Sequence, residues 1–406
     1  MSENKNFIAS IAIISAVVFQ TYIDIYLPAL PKIAEYFKCS ASMTQISLSI
    51  YLLGAGISFM PYGILGDIYG RKQFLVAGLA CTLIGSLISI FSPNISVFLI
   101  GRFIQGAGAA FYVLSSPILL DIFEGEKLIS AFTYANIAYS TVPLAAPYIG
   151  GVLVHFFDWQ IIFIFLALFI GSLLIAVLFF MPETLAKSQR ENQVSFKKVY
   201  KVINNILLHK QFLWLSVLIA VSWSSVIAFY AVGPFLYQNI FTITPYYYGV
   251  IALMMGGAYL ISSFFNRILL KKISPIFLIK TSIVLSTFIS VIFVIITYLG
   301  YMNLIISTLF CFLIIMNIGF LFINGMTLSL SLFHETAAIA TALQCTIWVI
   351  IWAVASWIIS FFHYSQFTLA FSFTVFAVIN LIILIAIHKE LIIPKKMQET
   401  KGECSR

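Results

Sequence analysis

Twelve stretches of this sequence are each apolar for about twenty residues or more, with short polar segments between them. A helix rises 1.5 Å per residue, so about 20 apolar residues cross a hydrocarbon core ~30 Å thick. The runs lie at roughly 8–30, 43–65, 73–92, 96–120, 130–156 and 160–181, then 212–237, 247–269, 276–299, 303–332, 338–362 and 366–388. Inside lipid, only helices and closed barrels satisfy every backbone N–H and C=O. Runs of this length predict helices, so the expected fold is all-α and integral to a membrane. Composition agrees: 62% of residues are hydrophobic and 9% charged. A soluble domain carries about 25% charge, and one built from this chain would expose aggregating apolar patches.

One long polar segment, 183–211, interrupts the series after the sixth run. It predicts a linker with an amphipathic helix. The expected organisation is a six-helix bundle over 1–182, the linker 183–211, a second six-helix bundle over 212–388 and a tail over 389–406. Similarity between the halves is faint, so this division rests on run count and on the paired halves common in transporters. Basic residues set the orientation. With the N-terminus inside, 19 of the 22 Lys and Arg fall in cytoplasmic segments, Lys32 and Lys38 fall outside, and Arg102 lies within a run. Both termini are therefore expected in the cytoplasm.

The net charge of +8 does not indicate nucleic acid, because the cations flank apolar runs as topology control requires. Cys39, Cys81, Cys311, Cys345 and Cys404 are scattered, without a CxxC pair. They suggest neither a disulfide framework nor a zinc site. His155, His209, His334, His363 and His388 fall at run ends and form no metal set. No cofactor is expected, and no G-x-x-x-x-G-K-[ST] loop for nucleotide is present. The N-terminus lacks a small-residue cleavage site and is read as a retained first helix.

Two charges lie well inside apolar runs: Asp24 in the first and Arg102 in the fourth. Each costs about 2.5–3.5 kcal/mol at a helix centre, so an intramembrane charge signals a functional site. Counting 1.5 Å per residue, Asp24 sits about 6 Å and Arg102 about 9 Å below the outer edge of the core. At similar depth they can share a cavity, directly or through polar neighbours. One reading is a structural ion pair locking the two helices. The other is a titrating site, since desolvation favours a neutral carboxyl and a guanidinium favours a charged one. Gln20 and Gln105 lie one turn from these charges and extend a polar stripe. They serve either interhelical hydrogen bonds or a ligand. Asn317 and Asn324 in the tenth run read as interhelical glue.

Short motifs then carry a resemblance. The loop after the second run reads Gly63-Ile-Leu-Gly-Asp67-Ile-Tyr-Gly70-Arg71-Lys72. It resembles the major facilitator signature G-x-L-x-D-R-x-G-R-K, with Ile68 where the family has Arg. Its glycines permit a tight turn, and Asp67 can meet the positive end of a helix. The fourth run reads Arg102-Phe-Ile-Gln105-Gly106-Ala-Gly108-Ala-Ala and is similar to a drug–proton antiporter motif. The fifth holds Pro143, Pro147, Gly150 and Gly151, similar to the antiporter motif itself. With Asp24-Ile-Tyr26-Leu-Pro28 and Pro182-Glu183-Thr184-Leu185, the first 185 residues resemble the bicyclomycin and chloramphenicol resistance branch. Gly233-Pro234-Phe235 in the seventh run is similar to that branch's S-P-F.

The resemblance implies a major facilitator fold and a proton-coupled efflux antiporter of drug-like molecules in the bacterial inner membrane. It assigns proton coupling to Arg102, while burial points to Asp24. It assigns conformational roles to Gly63, Asp67, Gly70, Arg71, Pro143, Pro147, Gly150 and Gly151. Candidate substrate contacts are Gln20, Tyr26, Gln105, Tyr112, Phe229 and Tyr230. Trp223, Phe229, Tyr230 and Tyr237 line a drug-sized pocket or else pack against helices and lipid. The expected partners are a small molecule, protons and the bilayer, with no nucleic acid and a monomeric state. A proton-coupled nutrient importer on the same fold is the alternative. A membrane enzyme would need clustered His, Asp or Cys, and His155-Phe-Phe-Asp158 has no nucleophile beside it.

Overall fold

The computed structural model describes residues 2–185, 196–333 and 336–387. Twelve helices there are long and apolar enough to cross a membrane. They are α1 (Lys5–Tyr36), α2 (Ala41–Tyr69), α3 (Arg71–Ile90), α4 (Ile95–Ile122), α5 (Gly125–Phe156) and α6 (Gln160–Phe180). The second set is α7 (Lys210–Ile240), α8 (Pro245–Leu269), α9 (Pro275–Tyr298), α10 (Leu304–Leu330), α11 (Ile339–Ile359) and α12 (Gln366–Ala386). Each matches one apolar run of the sequence. A linker helix, Phe196–Leu208, precedes α7, and its Ile206 is buried with Phe212, Ala340 and Leu343. Residues 186–195 of the expected linker, the tail 389–406, His334, His388 and Cys404 lie outside the described residues.

Local chemistry explains where the helices start. The first N–H groups of a helix lack intrahelical partners, and short polar side chains supply them. Ser40 accepts from Met43 N at 3.2 Å, Asn94 from Val97 N at 3.0 Å and Asn303 from Ile306 N at 2.9 Å. Pro245 and Pro275 open α8 and α9, where a missing N–H costs nothing. The α2–α3 turn is made at Gly70, whose φ of 123° no L side chain adopts comfortably.

The first run does not form one uniform helix. Its α-helical part ends at Asp24, and Leu27–Ala29 form a 3-10 turn before helix resumes at Leu30. Pro28 and Pro31 remove the amide donors that a continuous ladder would need. Asp24 is thereby placed at the break.

Packing then positions the two sets. Without a hydrophobic drive between helices in lipid, close backbone approach at small residues supplies much of the contact. A Cβ on Gly106 in α4 would fall on the carbonyl of Tyr51 in α2, and one on Gly150 in α5 would fall on the carbonyl of Ile25. The two sets meet along α2 against α11 and along α5 against α8. Toward one face, Gln45 Nε2 donates to Ser356 Oγ at 2.7 Å and Ser49 Oγ to Ser356 Oγ at 2.9 Å. Gln238 Nε2 donates to the Pro28 carbonyl at 3.0 Å on the same side. Large apolar side chains such as Phe91, Phe179 and Ile305 point outward, as a lipid-facing surface requires.

Candidate functional site

Asp24 is fully buried at the break in α1. One turn earlier, Gln20 Nε2 donates to both of its oxygens, at 3.0 Å and 2.9 Å. From the second set of helices, the Tyr230 hydroxyl of α7 interacts with the same carboxyl. The residue thus has one partner from its own helix and one from across the boundary between the sets.

Arg102, also fully buried, takes a different solution. Its Nη1 donates to Gln105 Oε1 at 2.8 Å and its Nη2 to the Tyr22 carbonyl at 3.3 Å. The guanidinium carbon lies 4.0 Å from the Tyr26 ring centre, 4.5 Å from that of Tyr51 and 5.9 Å from that of Phe163. Aromatic faces carry negative quadrupole density and hold a desolvated cation. Among the described residues there is no salt bridge between Arg102 and Asp24; the ion pairs are those of Arg71. A direct lock between the two buried charges is therefore not how these helices are joined. Tyr51, whose ring packs on the Arg102 guanidinium, donates its hydroxyl to the Phe19 carbonyl at 3.0 Å. Gln105 Nε2 and the Tyr22 hydroxyl converge on Ser86 Oγ, each at 3.0 Å.

The remaining sequence candidates divide between this centre and its surroundings. Tyr26 contributes its ring to Arg102 and its hydroxyl to Ser47 at 3.3 Å. Tyr112 packs among Phe19, Phe59 and Tyr139. Phe229 packs with Tyr230, Tyr237 and Tyr248 rather than facing open space. Trp223 belongs to a separate cluster with Tyr259, Phe322 and Trp352. Asn324 donates to Asn266 of α8 at 2.7 Å, while Asn317 returns to its own helix at the Leu313 carbonyl. A cavity of about 1080 Å³ lies elsewhere, between the start of α1, the end of α4 and the start of α5, and is lined by Lys5, Asp121, Glu124 and Lys127 among others. Among the described residues no group of His, Cys, Asp and Glu is placed to hold a metal.

The turn after α2 gathers a second group of charges. Arg71 bonds Asp67 through Nη1, and its Nε reaches Asp121 Oδ2 at 3.3 Å. Glu183, from the end of the first half, accepts Arg71 N at 2.8 Å and Lys72 N at 3.2 Å. A carboxylate at the first amides of a helix meets both free donors and the positive end of the dipole. At α3 that carboxylate is Glu183. Asp67 lines a small cavity with Ile339 and Ala342 of α11. Asp121 and Glu183, both at helix ends, are thus bonded to the start of α3. Gly63 faces Ala342 across the α2–α11 contact, while Gly150 and Gly151 press on the backbones of Ile25 and Pro245. Pro147 lies opposite Gly249, and the side chain of Pro143 lies outside the described residues.

Comparison with known proteins places this architecture. Over 96% of this chain and 98% of the other, the fold superposes on the xylose transporter XylE from E. coli in a partially occluded inward-open conformation, with TM-score 0.73 and 12% identity. In sequence, the chain is 31% identical over 252 residues to an uncharacterized transporter of Rickettsia bellii, covering 61% of each. It is 30% identical over 255 residues to a bicyclomycin resistance protein homolog of Haemophilus influenzae, covering 62% of this chain and 63% of that one. Multidrug resistance protein MdtL of Escherichia coli is 30% identical over 270 residues, covering 65% of this chain and 66% of MdtL. These matches span about three-fifths to two-thirds of the relatives' lengths. Residues 12–356, most of the chain, match the Major Facilitator Superfamily, and with the twelve-helix architecture this establishes that the chain belongs to the Major Facilitator Superfamily.

Proposed function

We propose that the protein is a proton-coupled exporter of drug-like molecules in the bacterial inner membrane. The observation that carries this reading is the Asp24 carboxyl, fully buried among the spanning helices, bonded by Gln20 of its own half and with Tyr230 of the other half interacting with it. In this reading residues 1–182 and 212–388 act as two bundles that rock about α2–α11 and α5–α8. The linker 183–211 joins them, and the tail 389–406 follows. Separation of α7 from α1 takes Tyr230 away from Asp24 and changes the carboxyl's hydrogen bonding and solvation. Those are the terms that set its affinity for a proton. Arg102, enclosed by the Tyr26 and Tyr51 rings, supplies the electrostatic background. No step needs a cofactor.

Drug-resistance names among the relatives, and the Pro147–Gly150–Gly151 segment packed at the boundary, favour export over nutrient import on the same fold. The test is resistance. Expression in a strain lacking its own drug exporters raises the inhibitory concentration of bicyclomycin, chloramphenicol or both severalfold. An unchanged inhibitory concentration for both, with the protein present in the membrane, counts against the reading.

The basic-residue asymmetry supports a cytoplasmic location for both termini and for 183–211. A Gln193→Cys variant in which the five native cysteines are replaced by serine is expected to react with an impermeant maleimide only after the cytoplasmic face is exposed. Labelling in intact spheroplasts would contradict this orientation.

A further inference from the structure

We propose that Ser86 of α3 is the positioning residue for Arg102: it fixes the sense of the Gln105 amide, so that the amide oxygen and not the nitrogen meets the guanidinium. This rests on the export reading and adds to it a residue from outside the two helices that carry the buried charges.

Arg102, Gln105, Ser86 and Tyr22 close a circuit across α4, α3 and α1, and all are fully buried. Arg102 Nη1 donates to Gln105 Oε1 at 2.8 Å, and Nη2 to the Tyr22 carbonyl at 3.3 Å. Gln105 Nε2 donates to Ser86 Oγ at 3.0 Å, and the Tyr22 hydroxyl lies 3.0 Å from the same oxygen. Close approach of α3 to α4 lets so short a side chain reach. A Cβ on Gly85 would fall 2.6 Å from Gln105 N and 2.7 Å from the Gly101 carbonyl oxygen.

The direction of each bond is forced. A guanidinium has donors only, so the Gln105 atom facing it is the oxygen. The amide nitrogen then points to α3 and needs an acceptor there. The Ser86 hydroxyl gives its one hydrogen to the Thr82 carbonyl of its own helix, at 2.8 Å. Its two lone pairs remain, one for Gln105 Nε2 and one for the Tyr22 hydroxyl, which also reaches the Leu166 carbonyl at 3.3 Å. Serines between membrane helices commonly act as glue. Ser86 does more than join α3 to α4, because the group it holds has two ends of opposite character. Without this acceptor the amide nitrogen is left unmatched, and a turned amide sets its N–H groups against those of Arg102. Arg102 Nε has no partner among the described residues, so the guanidinium is anchored by its two Nη contacts and the rings around it.

The test reads Arg102 directly, by solid-state nitrogen NMR of guanidinium-labelled protein in lipid, with Arg102→Lys identifying its resonances. A guanidinium held through both Nη atoms gives a separate resonance for each. In Ser86→Ala, and in Ser86→Cys with its weakly accepting sulfur, the Nη1 resonance is expected to move. In a Gln105→Glu background the same Ser86 changes are expected to leave it in place, because a carboxylate offers an acceptor whichever way it turns. Transport by the two Ser86 variants is measured in inside-out vesicles with an acid lumen. The maximal rate is expected to fall about tenfold, as for loss of a hydrogen bond to a charged group, while the half-saturating concentration stays in place. An unmoved resonance in both Ser86 variants overturns the proposal. So does an equal movement in the Gln105→Glu background, which marks a disturbed α3–α4 contact, and so does an unchanged rate beside a moved resonance. If the wild type moves no compound under the gradient, the export reading falls, whereas the resonances still decide whether Ser86 orients Gln105.

Discussion

Asp24→Asn is expected to abolish drug-driven proton release while leaving drug binding within about tenfold of wild type, a change of ~1.4 kcal/mol at most. The amide has the shape of the carboxylate and fills the same buried site. Gln20 still donates to the remaining oxygen, and one of its two contacts, at 3.0 Å and 2.9 Å, is lost. That loss costs about 0.5–1.5 kcal/mol, too little to unfold the protein. The titration itself is gone. Asp121 and Glu183 are poor substitutes, because they are engaged at the turn that joins α2 to α3. Proton release is read with a pH indicator in weak buffer as bicyclomycin or chloramphenicol is added to purified protein. Release from Asp24→Asn with the wild-type pH profile would remove Asp24 from the coupling step.

Arg102→Ala is expected to cost both stability and transport. The change removes a cation from three aromatic faces and takes the donors from Gln105 Oε1 and the Tyr22 carbonyl. A desolvated cation–π contact contributes about 2 kcal/mol, and each buried acceptor left unmatched costs roughly 1–3 kcal/mol. Transport should fall by about two orders of magnitude or more, since a loss of ~2.7 kcal/mol is already a hundredfold. Arg102→Lys restores the charge but not the planar fork that reaches Gln105 and Tyr22 together. It should recover much of the thermal stability and little of the transport. Stability is measured as the thermal midpoint in detergent, and transport in vesicles matched for expression. Wild-type transport by Arg102→Ala would contradict the role given to this site.

The fold was legible because lipid imposes one rule on every segment: backbone groups must be satisfied within it, over a fixed length. That rule locates all twelve spans from apolarity alone. It does not locate the break after Asp24, because Pro28 and Pro31 sit inside an apolar run and their effect depends on what packs beside them. The two buried charges stood out because lipid tolerates few of them. Their partners did not. Tyr22, Tyr51 and Phe163 look in sequence like any buried aromatic, and only the folded chain brings them around Arg102. Glu183 is 112 positions from Arg71, and no local pattern links the end of α6 to the start of α3. The Pro182-Glu183-Thr184-Leu185 motif marked the residue without revealing its contact.

Export driven by proton entry is tested in inside-out membrane vesicles, whose lumen corresponds to the outer face, with an acid lumen imposed and the compound selected by the resistance assay supplied outside. The compound is expected to accumulate in the lumen, a proton ionophore to collapse the accumulation, and Asp24→Asn vesicles to show none. An acid lumen that instead drives preloaded compound out of the vesicles would identify an importer and rule out proton-driven export.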